Sequence, residues 1–292
     1  MLFLSAALAL AAVNPELANM RGDCQRGDAA ACRELARRFE DGDGLPIDGG
    51  EAARFYRQAC KSGDPEACGR LGHAYHFGDG VTLNHQRAAD LYMQACQMGH
   101  SPSCRAVADL FISGDGVAPD ATSAMLWYEH GCELGDGPSC TWAGISWEIG
   151  QGTVADPLRA AELYRTACAL EDGAGCGRLA RMVLDSEDRP LALRLAARGC
   201  AIGDATSCGL HGRMTVARRE TVGTQPIREL LTACHDTDLD ACEVAARALR
   251  REGSRPSLEA AARAWEVACA CGVRGACHRA RRALNSGRRA SP

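Results

Sequence analysis

The chain of 292 residues carries 33 basic and 37 acidic side chains, a formal net charge of −4, and is 46% apolar but only 5% aromatic. That balance excludes a general attraction to nucleic acid, and a composition rich in Ala and Leu favours helix over sheet. The charge is uneven, at −11 over residues 1–176 and +7 over residues 177–292, with Lys61 the only lysine.

In chain order, Leu2 to Val13 is apolar throughout except for Ser5. The stretch is too short to span a bilayer. With Ala7-Leu8-Ala9 and Ala9-Leu10-Ala11 as small-residue cleavage options, residues 1–13 read as a signal peptide, although no Lys or Arg precedes the apolar core. No other segment reads as a membrane span, so no stable membrane insertion is expected. Residues 14–27, opened by Asn14-Pro15-Glu16, predict an N-terminal capping helix.

From residue 28 the sequence repeats itself. Gly42-Asp43-Gly44-Leu45 returns as Gly78-Asp79-Gly80-Val81, Gly114-Asp115-Gly116-Val117 and Gly150-Gln151-Gly152-Thr153. Ala52-Ala53-x-Phe55-Tyr56 returns as Ala88-Ala89-x-Leu91-Tyr92, Ala124-Met125-x-Trp127-Tyr128 and Ala160-Ala161-x-Leu163-Tyr164. A period near 36 residues without strand alternation predicts an array of helix pairs, with seven repeats over residues 28–272. Within a unit, apolar or small residues such as Leu71, Gly72 and Tyr75 share one face of a first helix. The Gly-x-Gly segment stops that helix, and the Ala-Ala-x-aromatic-Tyr face of a second helix turns inward. The beat weakens at Ser186 to Arg189 and at Thr215 to Pro226. Residues 273–292 predict a closing helix and a basic tail.

Sixteen of the seventeen cysteines fall into eight pairs with seven residues between partners: Cys24/Cys32, Cys60/Cys68, Cys96/Cys104, Cys132/Cys140, Cys168/Cys176, Cys200/Cys208, Cys234/Cys242 and Cys269/Cys277. Cys271 stands outside the pattern. Each pair straddles a tight turn; in six of them Gly27, Gly63, Gly99, Gly135, Gly203 or Gly272 ends a second helix, and Asp or Ser, as in Asp64-Pro65 and Ser101-Pro102, caps the next first helix. Antiparallel helices joined so tightly bring two side chains within disulfide reach, which implies an oxidising, secreted or periplasmic location. The rival reading, structural zinc, needs four ligands at one point; the pairs lie one per repeat with no recurring His beside them.

The Ala-x-x-Leu-Gly-x-x-Tyr first helix, the Gly-x-Gly-Val turn and the Ala-Ala-x-Leu-Tyr second helix resemble the Sel1-like repeat, most clearly over Ala67 to Tyr92. The paired cysteines resemble its cysteine-rich secreted bacterial subgroup, often named β-lactamase-like, of the Helicobacter cysteine-rich protein type. The resemblance covers about residues 24–280. It implies an all-α fold, a right-handed α/α solenoid of antiparallel, TPR-like helix pairs stapled by disulfides. It also implies an interaction scaffold, with binding or hydrolysis of a β-lactam or cell-wall ligand, or assembly of redox or haem proteins, as the alternatives.

The residues themselves argue against catalysis. No Ser-x-x-Lys exists, and of the histidines only His73 and His76 lie close in sequence, three apart on one helix, a pair more often merely exposed than metal-binding. No cofactor and no metal are therefore expected. In helical-pair solenoids first helices line a concave face. One, five and eight residues after each second cysteine, that face presents Arg33, Arg37, Glu40; Gly69, His73, His76; Arg105, Asp109, Ile112; and Thr141, Ile145, Glu148. The fifth-residue column continues as Arg181, Arg213, Arg247 and Arg282, a row suited to an acidic peptide and equally to an ordinary solvated face. Trp142 is either an aromatic anchor or an interhelix contact. The expected partner is a protein or extended peptide, in its sharpest form acidic.

Overall fold

The computed structural model describes residues 15–186 and 188–217, together with residues 242, 244–247, 249, 260–262 and 264. The signal segment, most of the last two repeats, the closing helix, Cys234, Cys269, Cys271, Cys277 and Arg282 lie outside the described residues. Among the described residues the regular structure is helical, with no strand. The helices fall into two compact units divided between Asp156 and Pro157. The first holds α1 (Pro15–Gln25), α2 (Ala29–Asp41), α3 (Gly49–Lys61), α4 (Pro65–Phe77), α5 (His85–Gln97), α6 (Ser101–Ser113), α7 (Ala121–Glu133) and α8 (Gly137–Ile149). The second holds α9 (Pro157–Ala169), α10 (Gly173–Asp185), α11 (Arg189–Ile202) and α12 (Ala205–Ala217).

Helix starts follow from local chemistry. Asp28, Asp48, Asp64, Asn84, Asp120 and Asp136 sit in extended conformation, and their side-chain oxygens accept hydrogen bonds from the first free backbone N–H groups of α2, α3, α4, α5, α7 and α8. One start differs from expectation. The cap of α6 is His100, not Ser101, and its ring makes no capping bond, because the histidine occupies the position that Asp64 and Asp136 hold in neighbouring repeats.

First helices of the first unit stop at Gly42, Gly78, Gly114 and Gly150. Each is left-handed, and its N–H donates to the carbonyl of Arg38, Ala74, Leu110 or Ser146. In three of these turns the second glycine has a task that helix termination does not explain. A Cβ on Gly80 would lie 1.9 Å from the carbonyl carbon of Gly49, one on Gly116 2.3 Å from that of His85, and one on Gly152 2.3 Å from the carbonyl oxygen of Ala121. Each of these three turns therefore rests its backbone on the first residue of the preceding repeat's second helix, and only glycine fits there, whereas Gly44 of the first turn has nothing within 4 Å.

The other connection is the stapled one. Disulfides join Cys24–Cys32, Cys60–Cys68, Cys96–Cys104 and Cys132–Cys140 in the first unit, and Cys168–Cys176 and Cys200–Cys208 in the second. Their Cα atoms stand 4.3–4.8 Å apart, at the short end of what disulfides show. Cys242 is disulfide-bonded as well. Closing so short a loop stabilises each turn by about 2–3 kcal/mol in the chain-entropy account. Between helices the first unit buries Leu35, Phe39, Phe55, Tyr56, Leu71, Tyr75, Tyr92, Val107 and Leu110 among alanines. The second buries Ala180, Ala192, Ala196, Leu210 and Met214. No described helix is long and apolar enough to cross a membrane.

Candidate binding groove

Successive first helices α2, α4, α6 and α8 are linked by one recurring contact. Arg33, one residue after Cys32, reaches the cap of the next first helix: its guanidinium lies 2.9 Å from Asp64 and 3.1 Å from Glu66. Arg105 lies 3.6 Å from Asp136 in the same way. Between these rungs both partners change. Position 69 is glycine and position 100 histidine, so no arginine bridges to a carboxylate. A Cβ on Gly69 would stand 2.7 Å from Ser103 Oγ and 2.8 Å from His100 Nδ1. The imidazole thus lies against the bare backbone of α4, hydrogen-bonded to Ser103 Oγ at 2.8 Å. Ser103 is buried beneath it, which withholds that hydroxyl from solvent.

The missing rung leaves an opening. A cavity of about 350 Å³ is lined by Glu66, Gly69, Arg70 and His73 from α4, His100, Pro102, Ser103, Arg105, Ala106 and Asp109 from the start and face of α6, and Tyr92 from α5. A second cavity of about 330 Å³ shares Tyr92, Ala106 and Asp109 with the first and continues past His76, Phe77, Leu110, Ser113 and Asp115. Together they form a trough along α4 and α6.

Asp109 stands where the two cavities meet, and it accepts a 2.6 Å hydrogen bond from Tyr128 Oη of α7. Although the carboxylate reaches solvent, loss of water around it raises its pKa more than that hydrogen bond lowers it. Burial, reinforced by the Asp109 bond, raises the Tyr128 phenol, and burial pushes Tyr92 up to about 12, so both remain protonated hydrogen-bond donors at neutral pH. Burial holds the His100 imidazole below its ordinary value. The trough therefore offers a carboxylate, neutral imidazole and phenol groups, and guanidiniums already leaning on Glu40 or Asp136.

The sequence-predicted residues fall in different places. His73 lines the first cavity, with Nδ1 3.7 Å from Asp79. Trp142 is both exposed and in contact, its ring stacked 6.0 Å from that of Tyr128, beside Asp109's donor. Arg37 is exposed on α2 and held by Glu34 and Asp41 of its own helix, away from both cavities. Thr141, expected on the presented face, is buried. In the second unit Arg181 and Arg247 are exposed and Arg213 is half-buried. Arg70, Tyr92 and His100 were not singled out by the sequence pattern. The signal for His100 was present as a non-acidic residue at a cap position that is aspartate at residues 28, 64, 136, 172, 204 and 238. Among the described residues, one group of three metal-type side chains, Cys96, Cys104 and His130, has all its ligand atoms within 4.8 Å, but the two cysteines are spent in a disulfide.

Comparison with known proteins places this geometry. The model of the Sel1 repeat matches residues 29–64, 65–100, 101–136 and 139–172. A protective antigen of uropathogenic Escherichia coli strains displaying an SLR fold superposes with a TM-score of 0.67 at 19% identity, over 94% of this chain and 68% of that one. A Sel1 repeat protein from Oxalobacter formigenes gives 0.61 at 23% identity, over 70% of this chain and 84% of its own. Helicobacter pylori cysteine rich protein B aligns at 25% identity with a TM-score of 0.38, over 46% of this chain and 96% of its own. No curated protein sequence matches the chain.

Proposed function

Because this chain is a Sel1-repeat protein, we propose that it is an exported interaction scaffold whose first-unit trough receives an extended peptide segment of a partner protein. The observation that carries the reading is the interrupted rung. Arg33–Asp64 and Arg105–Asp136 close the face on either side, whereas Gly69 and His100 leave two adjoining cavities along α4 and α6. A peptide laid across them meets donors and acceptors at intervals without requiring a deep enclosed pocket. The disulfides support folding in an oxidising compartment, periplasmic or extracellular. In the second unit, exposed Arg181 and Arg247 support an acidic segment as that unit's ligand.

Peptides selected by display against the oxidised protein test this directly. Ala106 lines both cavities, so Ala106→Trp should weaken first-unit binders at least about tenfold, in line with the loss of a central contact. Leu126→Glu, on the exposed face of α7, should leave them unchanged. Binders insensitive to Ala106→Trp and lost with Leu126→Glu would place the face elsewhere. Salt-independent affinity of peptides for the second unit would remove the acidic refinement.

A further inference from the structure

His76, near the end of α4, and His85, the first residue of α5, face each other with ring centroids 5.2 Å apart and planes at 76°. The Nδ1 atoms of both are buried and make no hydrogen bond. Two buried, unsatisfied imidazole nitrogens side by side are costly, and such orphaned groups call for a partner. The third repeat supplies one nearby. Asp115 lines the same cavity as His76, and Gly116 packs its backbone on the peptide of His85. Among the described residues, no hydrogen bond or ion pair engages the Asp115 carboxylate.

The ring spacing has a specific meaning. On a tetrahedral zinc ion, with Zn–N bonds of roughly 2.0–2.1 Å and ring centroids about 1 Å further out, two imidazoles stand about 5 Å apart. The pair already has that separation. Imidazole with carboxylate is a donor set suited to late first-row divalent ions. The ligand atoms of these three residues do not all lie within 4.8 Å of one another, so side chains have to rotate to complete the set.

We infer that His76, His85 and Asp115 form a binding site for a zinc-class divalent cation, joining the second and third repeats and leaving coordination positions open to the trough. The spacing of histidines in the sequence pointed to a different pair: His73 turns to Asp79, while His76 finds its partner across the Gly-x-Gly turn. An ion held here would offer an anionic group of a trough ligand a direct bond.

Cobalt(II), with its visible ligand-field bands, is the probe, added to the oxidised full-length protein and displaced by zinc. One equivalent per chain is expected, and His76→Gln or His85→Gln should each weaken binding at least about tenfold, the cost of disturbing even an outer partner of a metal site. Asp115→Asn should weaken it less, and His130→Gln not at all. Circular dichroism of the metal-free variants checks that they fold. On the unmutated protein, zinc should protect His76 and His85 from diethyl pyrocarbonate, read by peptide mass mapping. No saturable cobalt binding, protection at other histidines only, or loss of binding with His130→Gln and not with His76→Gln would overturn the assignment. None of these outcomes depends on a peptide ligand, so the trough reading stands or falls separately.

Discussion

The two units build the same stapled turn and differ in the other connection. In the first unit, Gly78–Gly80, Gly114–Gly116 and Gly150–Gly152 each end a first helix and then rest on the opening residue of the preceding second helix. In the second, α10 leaves through Ser186 at φ −86°, and Asp188 caps α11 by accepting from the Leu191 N–H. The cysteine step across that repeat shortens from 36 residues to 32, the glycine turn being what is absent. The helix pair survives nonetheless, with Ala180, Ala192 and Ala196 buried. Small-residue packing therefore suffices to make this pair; the glycine turn adds the contact from one repeat to the next.

The sharpest way to break that comparison is to add one methyl group to different turns. At Gly116 (φ +75°) the Cβ would overlap the His85 backbone, whereas at Gly44 (φ +70°) nothing lies within 4 Å. Gly116→Ala should cost about 3 kcal/mol, the left-handed penalty plus overpacking, and Gly44→Ala about 1 kcal/mol. Urea denaturation giving equal losses would remove the docking role of the second glycine.

Next in size, replacing Cys96 and Cys104 by alanine should cost about 2–3 kcal/mol, and replacing Cys200 and Cys208 about the same, since both close an equal loop. A clearly smaller loss in the second unit would show that the two turns are not equivalent. Among the six described stapled turns one differs. Gly27, Gly63, Gly99, Gly135 and Gly203 are left-handed, but the fifth turn places Glu171 at φ 61°. Glu171→Gly should raise stability by up to about 1 kcal/mol, measured as an increase in the denaturation midpoint without change in slope.

The smallest expected effect concerns two carboxylates of the first unit that titrate in opposite senses. Hydrogen bonds and attraction from Arg37 and Arg38 lower Glu34 from 4.5 to about 2, so its contribution is complete above the ordinary carboxylate range and is lost as pH falls toward 2. The pairs are substantially exposed, which limits that contribution to a few tenths of a kcal/mol. Asp109, raised above its ordinary value, binds its proton more tightly in the native state, so stability declines as pH rises through its titration. Glu34→Gln should flatten the acid limb of a stability–pH curve, and Asp109→Asn should remove the decline. The reverse pattern would contradict both assignments.

What the sequence made legible was local. Helix stops at Gly42, Gly78, Gly114 and Gly150, caps at Asp64 and Asp136, and the paired cysteines all express interactions within about ten residues, where periodicity carries the signal. The trough was legible in part. Gly69, His73, Arg105 and Asp109, which the spacing groups together, line one cavity, and the repeated period marks His100 as a departure. The second glycines, the His76–His85 pair and the Trp142–Tyr128–Asp109 series were not legible, because each joins residues whose meeting depends on how one helix pair seats on another. A helical pattern says which side chains share a face; it does not say what lies across from them.

The central claim is that each turn between repeats is closed by its own disulfide and that the protein folds where such bonds form. Peptide mass mapping of the unreduced protein, with thiol counting, tests it most directly. The account predicts links Cys24–Cys32, Cys60–Cys68, Cys96–Cys104, Cys132–Cys140, Cys168–Cys176 and Cys200–Cys208, each across seven intervening residues. Links between different turns, or free thiols at these positions in the unreduced protein, would contradict it.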